Sequence, residues 1–186
     1  MRRASNVKKV VMVGTFSAIA FLLQMLGSMM GLKVGGFLEI EISDLPALII
    51  SFAYGPVAGI LVEFLKNFLH CFFSSTGFVG ELANFVINGT FVGVAGVIYK
   101  LCKNFKGAVV SLIAATVLMS VAGIFANLYI MLPLYMPQAP TSVKMNLVLA
   151  TILPFNLAKG AVISVITMLI YKRISPILKF SGGEQK

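Results

Sequence analysis

The chain has 186 residues, of which 59% are hydrophobic and 11% charged, and its mean hydropathy is +0.98. A soluble domain is roughly a quarter charged, so this composition excludes a water-exposed globular surface and calls for a lipid bilayer around the chain. The formal net charge of +9 would point to nucleic acid only with a soluble reading domain behind it, and no residues are left to build one.

Apolar runs broken by Gly, Pro and charge predict an all-α membrane protein, a bundle of about six transmembrane helices in one domain spanning 1–186. The spans fall near 10–30, 40–54, 56–75, 81–100, 107–132 and 147–173. The runs lack the strict alternation of a lipid-facing barrel. Arg2, Arg3, Lys8 and Lys9 ahead of the first run resemble the start of a signal peptide, but the run is too long and its small pair, Ala18 and Ala20, sits mid-run, so a retained helix is expected. The second span crosses only if it begins near Ile40, and Tyr54-Gly55-Pro56 after it predicts a tight hairpin.

With six spans, Arg2, Arg3, Lys8, Lys9, Lys100, Lys103, Lys106, Lys172, Arg173, Lys179 and Lys186 share a side, against Lys33 and Lys144 on the other. By the positive-inside rule both termini are cytoplasmic. Cys71 then lies toward the outer face and Cys102 in a cytoplasmic loop, too far apart to pair, and neither has metal-ligand spacing with His70. No metal site and no catalytic residue are expected.

Intramembrane polar side chains cost at least about 2.5–3.5 kcal/mol each when charged, so each needs a partner or a task. In the third span Glu63, Lys66, Asn67 and His70 share one helical face, which suits a structural ion pair between Glu63 and Lys66, with His70 as a hydrogen-bonded packing residue or a proton relay. The fourth opens with Glu81, Asn84 and Asn88 on one face. Glu81 is placed in the first turn, where the helix dipole favours a carboxylate, and the group serves either a ligand or interhelical contacts. Asn127 in the fifth span, and Asn156 with Lys159 after Pro154 in the sixth, form the third group. Lys159 there faces a ligand, snorkels outward or pairs with Glu81.

Six segments carry a resemblance, in order along the chain: Phe37-Leu-Glu-Ile-Glu-Ile-Ser-Asp44-Leu-Pro-Ala, Tyr54-Gly-Pro-Val-Ala-Gly59, Val62-Glu-Phe-Leu-Lys66-Asn67, Gly80-Glu-Leu-Ala-Asn84-Phe85, Asn127-Leu-Tyr-Ile-Met-Leu-Pro133 and Leu153-Pro-Phe-Asn156-Leu-Ala-Lys159-Gly160. Together they resemble the riboflavin-specific S components of energy-coupling factor (ECF) transporters. The resemblance implies a subunit of a bacterial cell membrane importer that captures riboflavin from outside, as transported ligand and not as cofactor. Its partners would be a transmembrane coupling subunit and two cytoplasmic ATPases, in keeping with the absence of a Walker motif here. The family's small-xxx-small pattern toward the coupling subunit falls on Gly14 and Ala18.

Ligand chemistry agrees with this placement. Lys159 can donate to the pyrimidine edge of the isoalloxazine ring, Asn156 and Asn127 offer amides to it, and Glu81 and Asn84 suit the ribityl hydroxyls. Phe37, Leu38 and Ile40 can cover the ring face. Alternatives are an S component for another vitamin or flavin (FMN, roseoflavin) and a membrane-embedded enzyme. The lack of an Arg cluster near the outer polar group disfavours the phosphate of FMN, and one His without HExxH disfavours a metalloprotease.

Overall fold

The computed structural model describes residues 2–30, 33–34, 38–39, 42–74 and 77–182. Six helices make the bundle: α1 (Arg2–Met30), α2 (Asp44–Tyr54), α3 (Pro56–His70), α4 (Gly77–Leu101), α5 (Phe105–Tyr135) and α6, which runs from Thr141 through Val148–Ile152 to Gly182. α1, α4, α5 and α6 are long and apolar enough to cross a bilayer. Between α1 and α2 a two-residue antiparallel hairpin, β1 (Lys33–Val34) and β2 (Leu38–Glu39), pairs Lys33 with Glu39 and Val34 with Leu38.

α2 starts at Asp44 and not near residue 40. Pro46 lies in its first turn, where a missing N–H costs nothing. At 11 residues it rises only about 16 Å, well short of the roughly 30 Å hydrocarbon core. It packs against α1, α3, α4 and α6, and Asp44, Ala47, Leu48, Ile50 and Ser51 are all buried, so it is apolar almost all round because its neighbours enclose it. The hairpin to α3 turns on Gly55, whose φ of +96° is open to glycine, with Pro56 opening α3.

The chain order places one set of helix ends with both termini and the other set with the β-hairpin. The outer surface is apolar: Val7, Val10 and Leu22 on α1, Phe64 and Phe68 on α3 and Val110 and Val117 on α5 are all exposed. The polar residues are inside. That inversion is the arrangement of a protein whose solvent is lipid.

Candidate functional site

At the end opposite the termini, the polar residues of α1, α4, α5 and α6 converge on a cavity of about 80 Å³ beneath the β-hairpin. Asn127, Asn156, Lys159, Glu81, Asn84 and Leu38 all line it, so the second and third polar groups of the sequence meet at one place. Ala83, Ile87, Met131 and Phe155 supply apolar wall. Phe37 and Ile40 lie outside the described residues.

Two irregular helix turns set the two key amides. In α5, Asn127–Met131 forms a π turn closed by the Leu132 N–H on the Asn127 carbonyl, and in α6, Val148–Ile152 forms another closed by the Leu153 N–H on Val148. Each is followed by a Leu-Pro step, Leu132-Pro133 or Leu153-Pro154. A proline inside a helix clashes with the carbonyl four residues back; those carbonyls, of Tyr129 and Ala150, sit within the widened turns. The Leu-Pro steps thus account for the bulges, a feature common near functional sites. Asn127 heads the first bulge and Asn156 follows the second by one turn.

Gly123 is the close-approach point between them. A Cβ there would collide with Asn156 Nδ2, so the glycine lets α6 bring that amide against α5. Asn127 Nδ2 donates to the Gly123 carbonyl at 2.8 Å, whereas the buried Asn156 Nδ2 has no partner among the described residues. An unpaired buried donor costs about 1–3 kcal/mol. Asn88 Nδ2 donates to Asn84 Oδ1 at 2.6 Å, and Lys159 Nζ reaches Asn88 Oδ1 at 3.4 Å.

Lys159 corrects one expectation. It neither snorkels nor pairs with Glu81; its Nζ lies 3.0 Å from Asp44 Oδ2, with both side chains buried. The other Asp44 oxygen accepts from Lys66 Nζ at 2.6 Å, and Lys66 also reaches Glu63 Oε2 at 2.8 Å and Ser43 Oγ at 2.9 Å. The Glu63–Lys66 pair read from the sequence is therefore part of a larger cluster of two carboxylates and two ammoniums. Asn67 is tied to Glu63, donating to its carbonyl at 2.8 Å. Glu63, Lys66 and Asn67 do not line the cavity; they stand behind Lys159.

A second correction concerns Glu81. α4 begins at Gly77, which puts Glu81 beyond the first turn, where the helix dipole no longer accounts for the carboxylate. Its carboxylate is held laterally instead, accepting from Gln24 Nε2 at 3.0 Å and contacting His70 Nδ1 at 2.9 Å. His70 Nε2 is 3.2 Å from Ser28 Oγ. One tautomer satisfies both contacts, with Nδ1–H donating to Glu81 and Nε2 accepting from Ser28.

The sequence reading passed over Asp44 and Gln24. Asp44 was legible by charge counting, since two intramembrane lysines need two anions and Glu63 supplies one. Gln24 was legible as the lone amide of an apolar first span. Gly14 and Ala18 are both exposed on α1, and a Cβ at Gly14 would meet nothing within 4 Å, so neither packs inside the bundle. No group of His, Cys, Asp and Glu among the described residues is arranged to hold a metal. The cavity offers amides, one ammonium and one carboxylate against an apolar wall.

Comparison with known proteins gives the same picture. Residues 8–171 match the family described as ECF transporter, substrate-specific component. The riboflavin transporter FmnP of Bacillus subtilis (strain 168) is 38% identical over 180 residues, covering 92% of this chain and 94% of that protein. The riboflavin transporter RibU of Staphylococcus aureus (strain TCH60) is 34% identical over 177 residues, covering 92% and 93%. A solved S component of a bacterial ECF transporter superposes with a TM-score of 0.80 at 34% identity, covering 94% of this chain and 99% of that one. ThiT from Listeria monocytogenes shares the fold at a TM-score of 0.69 and 15% identity, covering 93% and 98%.

Proposed function

The chain belongs to the substrate-specific components of ECF transporters, and from that premise we propose that the cavity beneath the β-hairpin is where it captures riboflavin. It is a membrane transport component and not an enzyme, the riboflavin-specific member of an ECF importer. The observation that carries the site is the meeting of Asn127, Asn156, Lys159, Glu81 and Asn84 in one buried space, with the Asn156 amide hydrogens unanswered. An amide pair and an ammonium match the acceptor and donor edge of the isoalloxazine ring. Glu81 and Asn84 match the hydroxylated tail.

The cavity's volume is below the roughly 300–1,000 Å³ of a small-molecule site. Its walls must therefore part to admit a tricyclic ring. The chain works as one transmembrane binding unit in a bacterial cell membrane, both termini cytoplasmic and the cavity outward. It delivers its ligand by docking to a coupling subunit that carries two ATPases.

Isothermal titration of the purified chain tests the reading. Riboflavin should bind with one-to-one stoichiometry and FMN more weakly, because the cavity presents no arginine to a phosphate. Vesicles holding this chain alone should bind riboflavin without concentrating it. Absence of riboflavin binding by a folded sample, or concentrative uptake by the lone chain, would overturn it.

A further inference from the structure

The opposite end of the bundle carries a second cavity, of about 220 Å³, enclosed by the start of α1, the α2–α3 hairpin and the end of α4. Lys9, Lys100 and Lys103 line it beside Tyr54. Among the described residues none of these three ammoniums is in an ion pair. The distribution of acids explains why. Among the described acidic residues, Asp44, Glu63 and Glu81 are committed near the ligand cavity at the opposite end of the bundle. Pro56 and Val57 also line the space, so the first turn of α3 directs the positive end of its dipole there. The site is built for an anion.

It is also continuous with an apolar groove. Pro56 belongs to both, and from it a groove of about 700 Å³ runs along the lipid-facing side between α3, α4 and α5. Val97, Gly93, Gly89 and Phe85 follow one another up α4 as its floor, with Ile60 of α3 and Leu118 of α5 at its sides. The distance from Val97 to Phe85 is about 18 Å along the helix, close to half of a roughly 30 Å hydrocarbon core. The groove is one leaflet deep.

We propose that this surface binds one anionic phospholipid of the leaflet on the side of the termini, its phosphate among Lys9, Lys100 and Lys103 and one acyl chain along Gly89 and Gly93. Basic pockets between transmembrane helices bind anionic headgroups by the same charge pairing. The groove is what favours a lipid over a free phosphate, which would need only the cavity. The cavity of three lysines is what favours a lipid over a partner helix, which would need only the groove.

Native mass spectrometry of the detergent-solubilised chain, offered phosphatidylglycerol, phosphatidylcholine or glycerol 1-phosphate, tests this. Wild type should retain one phosphatidylglycerol in clear preference to phosphatidylcholine. Combined Lys9→Gln, Lys100→Gln and Lys103→Gln should lower that retention on the order of 100-fold, at about fivefold per lysine, and Lys→Arg at the same positions should preserve it. Gly89→Leu fills the groove without altering charge, since a Cβ there meets only the Phe85 ring at 3.5 Å, and should also release the lipid. Lys8→Gln with Lys106→Gln, outside the cavity, should not.

Equal retention of the two lipids, or equal loss from the Lys8 and Lys106 control, would leave only diffuse charge attraction and overturn the site. Retention of glycerol 1-phosphate as strong as that of the lipid would make it a soluble-phosphate site. Loss of assembly with the ECF module, with lipid retention unchanged, would make the surface a protein interface. If the triple Gln variant fails to fold, the Arg and Gly89→Leu variants decide.

Discussion

Two polar regions lie side by side at the end of this bundle opposite the termini, and they differ in what joins their members: opposite charges in one, neutral amides in the other. Behind Lys159, the Lys66 ammonium is engaged by Asp44, Glu63 and Ser43, each within 3 Å. In the cavity, Asn156 Nδ2 and Gln24 Oε1 are buried without a partner among the described residues. Opposite charges joined in one cluster hold helices together even though Glu63 Oε1 and Asn67 Oδ1 accept no hydrogen bond among the described residues, whereas neutral amides left short of partners can answer a ligand. Lys159 joins the two, with Asp44 on one side and Asn88 on the other.

Breaking the paired region should have the larger effect on the fold. Asp44→Ala leaves Lys66 and Lys159 without their shared carboxylate, and removing one member of a buried pair typically costs about 3–5 kcal/mol. Thermal unfolding in detergent should show a clear loss of stability. A melting temperature equal to that of wild type would mean that water reaches the cluster and that it does not hold the helices together.

Breaking the amide region should weaken ligand binding and, at Asn156, spare the fold; at Lys159 it also strips buried Asp44 of one of its two cations. Asn156→Ala and Lys159→Ala should each reduce riboflavin affinity by about 1–3 kcal/mol, the cost of leaving a buried ligand group unsatisfied. Asn156→Ala should leave the melting temperature of the ligand-free chain unchanged or raised, since it deletes an unsatisfied donor. Titration calorimetry with unchanged affinity in both variants would move the site elsewhere.

Gln24→Leu sharpens the boundary between the regions. Gln24 lines the cavity but also holds Glu81, so its removal acts on the ligand through one neutral hydrogen bond and one repositioned carboxylate. A loss of about 0.5–1.5 kcal/mol in affinity is expected. A loss exceeding that of Asn156→Ala would make α1 a principal wall of the site.

How much of this was legible in the sequence depended on the kind of information. Helices and the cavity-lining face of α4 followed from hydropathy and from spacing at i, i+3 and i+7, both local properties. The partner of Lys159 did not, because Asp44 is 115 residues away in sequence and reaches it only through the packing of α2 against α6. α4 starts four residues before the expected Glu81 because Gly77 to Gly80 carries no strong helix former except in context, and Glu81 therefore lies beyond the first turn. The π turns were hidden for another reason. Pro133 and Pro154 announce a disturbed helix, but not whether it kinks, breaks or widens.

The smallest expected effect on binding separates capture from transport. Gly14 and Ala18 face outward from α1 with no protein above them, so a larger side chain there meets lipid and not the core. Gly14→Leu and Ala18→Leu should therefore melt and bind riboflavin as wild type does. In a reconstituted ECF complex the same variants should lose uptake, because two membrane helices in close contact depend on small residues and lose packing as their backbones separate. The exposure of both residues removes the competing explanation, in which overpacking inside the bundle would cost about 1–3 kcal/mol of stability. Capture of the coupling subunit, measured beside flavin binding on the same preparations, decides the matter: an intact complex in both variants would place the docking face elsewhere on the bundle, and a joint loss of flavin binding and complex would show that α1 acts through the fold.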